Sequence, residues 1–537
     1  MNGPEITIVN WLLAASPVVF LVAAIVWLSW SVPRVGAGAC VLALALALLA
    51  FGAEPRHAAI AAGKGISLSL FVLTIVWTSV YLYNVLDRLK AIDSIGRSMA
   101  ALAGDGLAQA LIIGWGFSSF IQGITGFGVP VAVAAPLLIM LGFSPARAAA
   151  MALVGHGWAV TFGSMASSYY TIQLVTGIEG EVIAPHMALL FAPVIVASGA
   201  LVAHIQGGAA AVGRSLPLVV VVGSIMAGAM YALALLGAPQ IASTVPGILG
   251  MVSLALLART PLLLPAPRVA VTGAPEDDED SESEEPSRLM PLLLALLPYL
   301  LLVTLSVISQ IGPVMEAVSG LRLAADYPGF TTGQGFVVDP ADNYAPISLL
   351  NHPAPLIVMS TLASVVAYAV TGWWRSGVAR ESVRLTYRQS RSSTMSVTTM
   401  VVMAVVMADT GMTVLLAKGI ANVSGPLFPL VSPFIGLLGS FMSGSNTNSN
   451  VMFGLLQMET ARALGIGEVT ISSIQSIGAS VGSSMAPAKV LVAAAVVGLG
   501  GQERSIFRGV IPYIIALVLL AGLEAMVVIH LLPGLSR

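Results

Sequence analysis

Apolar stretches of bilayer-crossing length recur along the whole 537-residue chain, at 8–30, 35–53, 65–84, 186–212, 216–237, 241–264, 289–311, 354–374, 394–415 and 508–532. Each is at or near the ~20 residues that a helix needs to span the hydrocarbon core. Lipid offers no partner to a backbone N–H or C=O, so a succession of such stretches folds as a bundle of helices, each satisfying its own backbone. The ~10-residue alternation of a membrane barrel strand is absent. Long Gly- and Ser-rich apolar zones at 106–175 and 427–498 add interrupted spans. The expectation is an all-α polytopic membrane protein with roughly twelve to fourteen transmembrane helices.

Composition removes the main competitor. Hydrophobic residues make up 57% of the chain and charged residues only 9%, against roughly 25% charged in a soluble domain. That is too little charge to wet the exterior of a soluble enzyme of this length. The net charge of -2 points to no partner, and nothing suggests nucleic acid. Cys40 is the one cysteine, which excludes an intrachain disulfide or a cysteine-based metal site. Met1 to Val9 contain no Lys or Arg, so a cleaved signal peptide is disfavoured and the first apolar run is read as a retained span.

Three composition breaks organise the chain. Glu276 to Glu285, ten acidic or serine residues between Pro275 and Pro286, are too charged to enter lipid. They mark 271–288 as a solvated linker between a first membrane half, 1–270, and a second, 289–537. Gly312 to His352 carry several prolines and no helical period, which reads as a loop outside the bilayer core that covers the bundle. Arg375, Arg380, Arg384, Arg388 and Arg391 follow Trp373-Trp374 at helical spacing and mark a cytoplasmic connection, or an anionic-lipid or regulatory site.

The halves carry a repeat. Ser119-Phe120-Ile121-Gln122-Gly123 is matched by Ser440-Phe441-Met442-Ser443-Gly444, and Gly163-Ser164-Met165-Ala166 by Gly482-Ser483-Ser484-Met485-Ala486, at nearly the same offset. The motif regions are 116–171 and 436–495. Arg88, Lys90 and Arg97 follow the span at 65–84, whereas the Arg375–Arg391 cluster precedes the equivalent span at 394–415. With both basic segments in the cytoplasm the two spans run in opposite directions, and the halves form two inverted-topology repeats with broken helices or re-entrant hairpins and the N-terminus outside. Arg56 and Lys64 fit this pattern less cleanly.

Broken backbone at membrane depth has to line a cavity or be buried in protein, and paired interruptions in two halves point to a transporter's midplane site. The candidate substrate-binding residues are therefore Gln122, Gly123, Thr125, Gly126 and Gly128 in the first half. In the second they are Ser445, Asn446, Thr447, Asn448, Asn450, Ser480, Ser483, Ser484 and Lys489. Neutral amides and hydroxyls suit a carboxylate, or Na⁺ through their oxygens; close helix packing is the simpler reading for Gly116 and Gly436. Lys489, just after Pro487, is either a snorkelling end residue or a cation facing an anionic substrate. His156 and Asp409 are the candidate proton-coupling groups, with a structural histidine as the alternative for His156. Glu459 with Arg462 reads as a helix-end ion pair, and Glu524 as interfacial. No G-x-x-x-x-G-K-[ST] loop, H-E-x-x-H or Cys/His cluster occurs, so no cofactor, metal or ATP hydrolysis is expected.

At these motifs the chain resembles the lactate permease family of bacterial and archaeal secondary transporters. The resemblance rests on Phe120 to Ala132, on Gly439 to Phe453, on Gln475 to Ser480 and on Ala486 to Lys489. It implies proton-coupled uptake of small 2-hydroxymonocarboxylates such as lactate and glycolate, and a fold that moves a substrate domain against a scaffold. Ser445-Asn446-Thr447 is also similar to the Ser-Asn-Thr signature of dicarboxylate symporters, which keeps Na⁺ coupling open. Two positions depart from the family pattern: its usual Glu is Gln122 here, and its usual Asn is His156. Losing a carboxyl and gaining an imidazole leaves three outcomes open, a coupling proton relocated to His156, an altered substrate charge preference or lost coupling, with a substrate other than lactate itself also open; relocation is the reading taken. The leading reading is a secondary active importer of a small organic anion in the cell membrane, with a proton, or Na⁺, as its partner. A cation/proton antiporter with Na⁺ at Asn446 or Asn450 is the second, and a channel or membrane enzyme the third. Oligomeric state is not legible.

Overall fold

The structure, a computed structural model, describes residues 4–28, 30–101, 104–126, 128–263, 289–311, 314, 321–348, 352–532 and 534. The acidic linker at 271–288 and Phe127 lie outside them. Ten helical segments among the described residues are long and apolar enough to cross a membrane. One of them, Gly180–Leu235, departs from helical geometry at Gly207 and Gly208 and so holds two crossings.

In the first half α1 (Ile8–Val26), α2 (Val32–Leu49) and α3 (Pro55–Arg88) lead to the short amphipathic α4 (Ala91–Ala100). Then α5 (Gly106–Leu111) passes through a π-helical turn, Ile112–Phe117, into α6 (Ser118–Ile124). The chain breaks at Thr125, turns at Gly128 (φ 84°), and α7 (Val129–Met140) returns alongside α6 and the π turn. Pro130 in the first turn of α7 has no N–H to lose there. The result is a helical hairpin with its tip inside the bundle. A broken helix follows: α8 (Pro145–Gly155), a 3₁₀ turn over Gly157–Val160, and α9 (Gly163–Thr176). Helix α10 (Gly180–Leu235) and α11 (Thr244–Leu257) complete this set, and α12 (Leu292–Ile308), past the linker, opens the second half.

The second half repeats the order. After α13 (Pro353–Val370), α14 (Val378–Asp409) and α15 (Met412–Ser424), a hairpin is made by α16 (Phe428–Ser443) and α17 (Asn446–Leu464). Its tip is again a left-handed glycine, Gly444 (φ 73°), and Ser449 Oγ donates to Gly436 O across the hairpin (2.8 Å). A second broken helix, α18 (Glu468–Gly482), a 3₁₀ turn over Ser483–Met485 and α19 (Pro487–Val496), precedes α20 (Glu503–Leu531). Close packing explains the glycines beside these elements: a Cβ on Gly155 would lie 1.8 Å from Gly114 O, and one on Gly478 2.0 Å from Pro433 O.

Helices α3 and α14 make the most extensive pairing in the molecule. Asn84 Nδ2 donates to Thr386 Oγ1 (3.0 Å), Trp77 Nε1 to Thr394 Oγ1 (3.0 Å), and Lys64 Nζ to Asp409 (3.1 Å). Numbers rise along one helix as they fall along the other, so the two run antiparallel, with the basic end of α3 beside the basic start of α14. This is the opposed direction that the charge pattern implied. Lys64, which disturbed that pattern, is neutralised by Asp409.

The segment after α12 differs from the sequence expectation of a loop. Strand β1 (Arg322–Tyr327) pairs antiparallel with β4 (Ala341–Ser348), and β2 (Phe330–Thr331) with β3 (Val337–Val338). The alternation is too short and irregular to read from sequence, because the strands are held by what they dock on. Tyr327 OH bonds Ser67 Oγ (2.7 Å) where Gly63 leaves room for its ring, His57 stacks on Phe330 (4.5 Å), and Gly333 N donates to Gly52 O (2.7 Å). The segment does cover one end of the bundle, above α2 and α3.

Candidate functional site

The two hairpin tips and the two helix breaks meet. Unwinding at Gly157–Phe162 frees backbone groups that a helix would pair, and α18 supplies partners: Ser480 Oγ donates to Gly157 O (2.7 Å) and accepts from Thr161 N (3.2 Å). Ser164, Met165 and Ala166 then hold φ of 48°, 54° and 61°, a left-handed turn without glycine. Such residues cost about 1–2 kcal/mol each and persist where the surroundings over-determine them, as at binding sites. Here Tyr169 N closes the turn onto Thr161 O (3.0 Å).

Thr161 is the hub of the crossing. Its hydroxyl donates to Ser476 O (3.1 Å) and accepts from Asn446 Nδ2 (2.9 Å). Asn450, one turn along α17, donates to Ser168 O (3.0 Å) and Ser476 Oγ (2.9 Å), and Thr447 Oγ1 meets Ser168 Oγ (3.0 Å). The N-terminus of α17 is thus fixed against both broken helices, with Ser445 accepting from Asn448 N as its cap (3.3 Å).

A cavity of ≈ 50 Å³ opens in front of this network. By the volume one water requires, that is room for roughly three to five waters. Gln122 and Gly126 line it from the first tip, Ser445, Asn446 and Thr447 from the second, Ser164, Ser167 and Ser168 from the first broken helix, and Lys489 from the second. The opposite wall is Val76 of α3 with Ser393 and Val397 of α14. The cavity therefore lies between the motif-bearing elements and the α3–α14 pair.

Lys489 is 4% exposed, and its ammonium donates to Ser483 Oγ (3.0 Å). No carboxylate among the described residues is within ion-pair distance of it. A buried charge is held only where something compensates it. The positive end of α17 opens on the same cavity, so its chemistry suits an anion. His156 is fully buried at the first helix break, behind the side chains that line the cavity. Its Nδ1 is 2.6 Å from Ala152 O, which only accepts, so Nδ1 carries the proton; Nε2 has no partner among the described residues.

The other sequence candidates fall around this centre. Ser484 packs beside Gly157, and its Oγ lacks a partner among the described residues; Ser480 and Asn450 sit one layer behind, tying the crossing together. Gly123 is a packing position, since a Cβ there would lie 2.6 Å from Thr244 N, while Gly128 supplies the turn. Buried Thr125 Oγ1 and Asn448 Oδ1 also have no partners among the described residues. Asp409 is not brought to the cavity. It lies twelve residues beyond Val397, roughly 18 Å along α14, paired with Lys64 beneath Tyr344 of β4. Its separation follows from helix rise alone once Val397 is known to face the cavity. Sequence reasoning passed over Val76, Ser393 and Val397, whose helices carry no motif at those positions.

The L-lactate permease family model matches residues 10–532. The chain belongs to this family. Members are transporters rather than enzymes, and this one is a multi-pass protein of the cell membrane. Among its relatives is the L-lactate permease of Bacillus subtilis (strain 168), 27% identical over 89% of this chain and 88% of that protein. The L-lactate permease of Salmonella typhimurium is 26% identical over 97% of both chains. Glycolate permease GlcA of Escherichia coli (strain K12) is 26% identical over 98% of this chain and 96% of its own. Among solved structures the Alcanivorax borkumensis YdaH transporter, whose topology is described as unusual, shares the fold at 15% identity, with a TM-score of 0.50 over 95% of this chain and 100% of that one.

Proposed function

We propose that this permease is a secondary active importer of small 2-hydroxymonocarboxylates such as lactate or glycolate, driven by proton symport. The observation that carries the reading is Lys489, a buried amine with no carboxylate within ion-pair distance among the described residues, lining a small cavity at the N-terminus of α17. The substrate carboxylate is the missing counter-charge, received by the Lys489 ammonium and the free backbone N–H groups of α17. Relatives named as L-lactate and glycolate permeases support the substrate class.

His156 carries the proton in this reading. Protonating the buried Nε2 adds a positive charge to an apolar region, which is costly until the substrate carboxylate brings a negative one to the neighbouring cavity. Anion and proton then favour each other's binding, which is the requirement for symport. The halves 1–270 and 289–537, joined by the acidic linker, supply the motion: the hairpins and broken helices shift against α3 and α14, exposing the cavity to each side in turn.

The test is uptake of radiolabelled L-lactate and glycolate into proteoliposomes under an inward proton gradient, with an uncoupler and with Na⁺ as variables. Accumulation that the uncoupler abolishes and Na⁺ does not change is expected; no accumulation of either acid rejects the reading. In the same assay His156→Gln is expected to lose the dependence on the proton gradient, while wild-type pH dependence in that variant excludes His156 as the coupling group. A sodium-coupled reading draws on the buried Oδ1 atoms of Asn448 and Asn450, which lack partners among the described residues, and predicts accumulation that follows the Na⁺ gradient instead.

A further inference from the structure

The cavity holds more than a counter-charge for a carboxylate. Two of its lining side chains present buried acceptor oxygens with no hydrogen-bond partner among the described residues: Gln122 Oε1 from the first hairpin tip and Asn446 Oδ1 from the second. Gln122 is 1% exposed and Asn446 2%. The orientation of Asn446 is dictated by its neighbour. The Thr161 hydroxyl spends its one proton on Ser476 O, so Asn446 has to present Nδ2 to Thr161 Oγ1, and its Oδ1 is left over. A carboxylate cannot satisfy these oxygens, because it brings only acceptors of its own. A buried acceptor left unpaired is destabilising, so the occupant that fits this cavity has to bring a hydrogen-bond donor as well as a negative charge.

Resting on the proposed function, we infer that Gln122 and Asn446 are the specificity-determining residues that read the substrate's 2-hydroxyl group. The carboxylate faces Lys489 and the start of α17, and the hydroxyl on the adjacent carbon donates to Gln122 Oε1 or Asn446 Oδ1. An acid of the same size without the hydroxyl leaves both oxygens dry and unpaired. A 2-oxo acid sets a third acceptor against them. Sites built to hydrogen-bond a substrate hydroxyl reject the analogue that lacks it far more strongly than an apolar pocket rejects a missing methylene.

The experiment is a binding titration on the purified full-length protein in detergent, following intrinsic tryptophan fluorescence or thermal shift, with L-lactate, propionate and pyruvate, in sodium and in choline buffer. Wild type is expected to bind L-lactate at least about tenfold more tightly than either analogue, with no dependence on sodium. Gln122→Met, close in size and without an acceptor amide, is expected to weaken L-lactate and leave propionate unchanged, so that discrimination collapses; Gln122→Glu, which keeps an acceptor, is expected to retain it. Equal affinity of wild type for L-lactate and propionate overturns the inference, as does a loss in Gln122→Met that is the same for all three acids. Binding of L-lactate only in sodium also overturns it, since the oxygens would then serve the ion. Failure of all three acids to bind, in a protein whose melting curve is cooperative, rejects the substrate class itself.

Discussion

Lys489 and Asp409 show how partners decide what a buried charge does. Lys489 faces the cavity, and among the described residues its amine is bonded to Ser483, so Lys489→Met is expected to abolish L-lactate binding while leaving a monodisperse, cooperatively melting protein; retained binding would remove the carboxylate from this site. Asp409 neutralises Lys64, and both are largely buried. Asp409→Asn strands that ammonium, a loss expected to cost about 3–5 kcal/mol, and Lys64→Met with Asp409→Leu should recover most of it. The pH profile of uptake should not change in the double variant. A shifted profile would return Asp409 to the coupling machinery.

At the scale of elements, each half builds a hairpin and a broken helix, and the tips depend on glycine for opposite reasons. Gly128 and Gly444 supply left-handed backbone at the turns, whereas Gly155 and Gly478 supply absence, letting helices touch through their main chains. Gly478→Ala is expected to force α16 away from α18 at a cost of at least about 1–3 kcal/mol, read as a lowered melting temperature and lost binding. An unchanged melt would mean that the hairpin is not seated as closely as described. The hairpins and breaks were legible because Gly, Ser, Asn and Pro interrupt apolar text at matching offsets in the two motif regions. The strands over 322–348 were not, since their pairing is stabilised by α2 and α3 rather than by an alternation of their own.

For the whole molecule, the cavity lies between two groups of helices, and transport by their relative motion makes a geometric prediction. In a Cys40→Ala background, Ser393→Cys with Ser445→Cys places one thiol on each side of the cavity. A short bifunctional thiol reagent is expected to arrest uptake, reversibly if it is cleavable. The pair Asn84→Cys with Thr386→Cys lies within the α3–α14 unit, and its cross-link should leave uptake intact. Equal uptake in both cross-linked proteins would rule out movement of one group against the other.

The sequence by itself determined the solvent and the architecture. Charge at 9% and apolar runs of bilayer length leave a helical bundle as the available fold, and broken backbone at membrane depth marks where the cavity has to be. It also placed Gln122, Gly126, Ser445, Asn446, Thr447 and Lys489, which line one cavity although they are as much as 367 residues apart. Only the tertiary structure decided what each motif residue faces. Ser480 is spent on the unwound backbone of the other half, Asp409 on Lys64, and the far wall is built from Val76, Ser393 and Val397 in helices without a motif. Hydropathy and helix interruption are local properties, written where they act. A partner three hundred residues away is fixed by packing, and nothing in the local pattern records it.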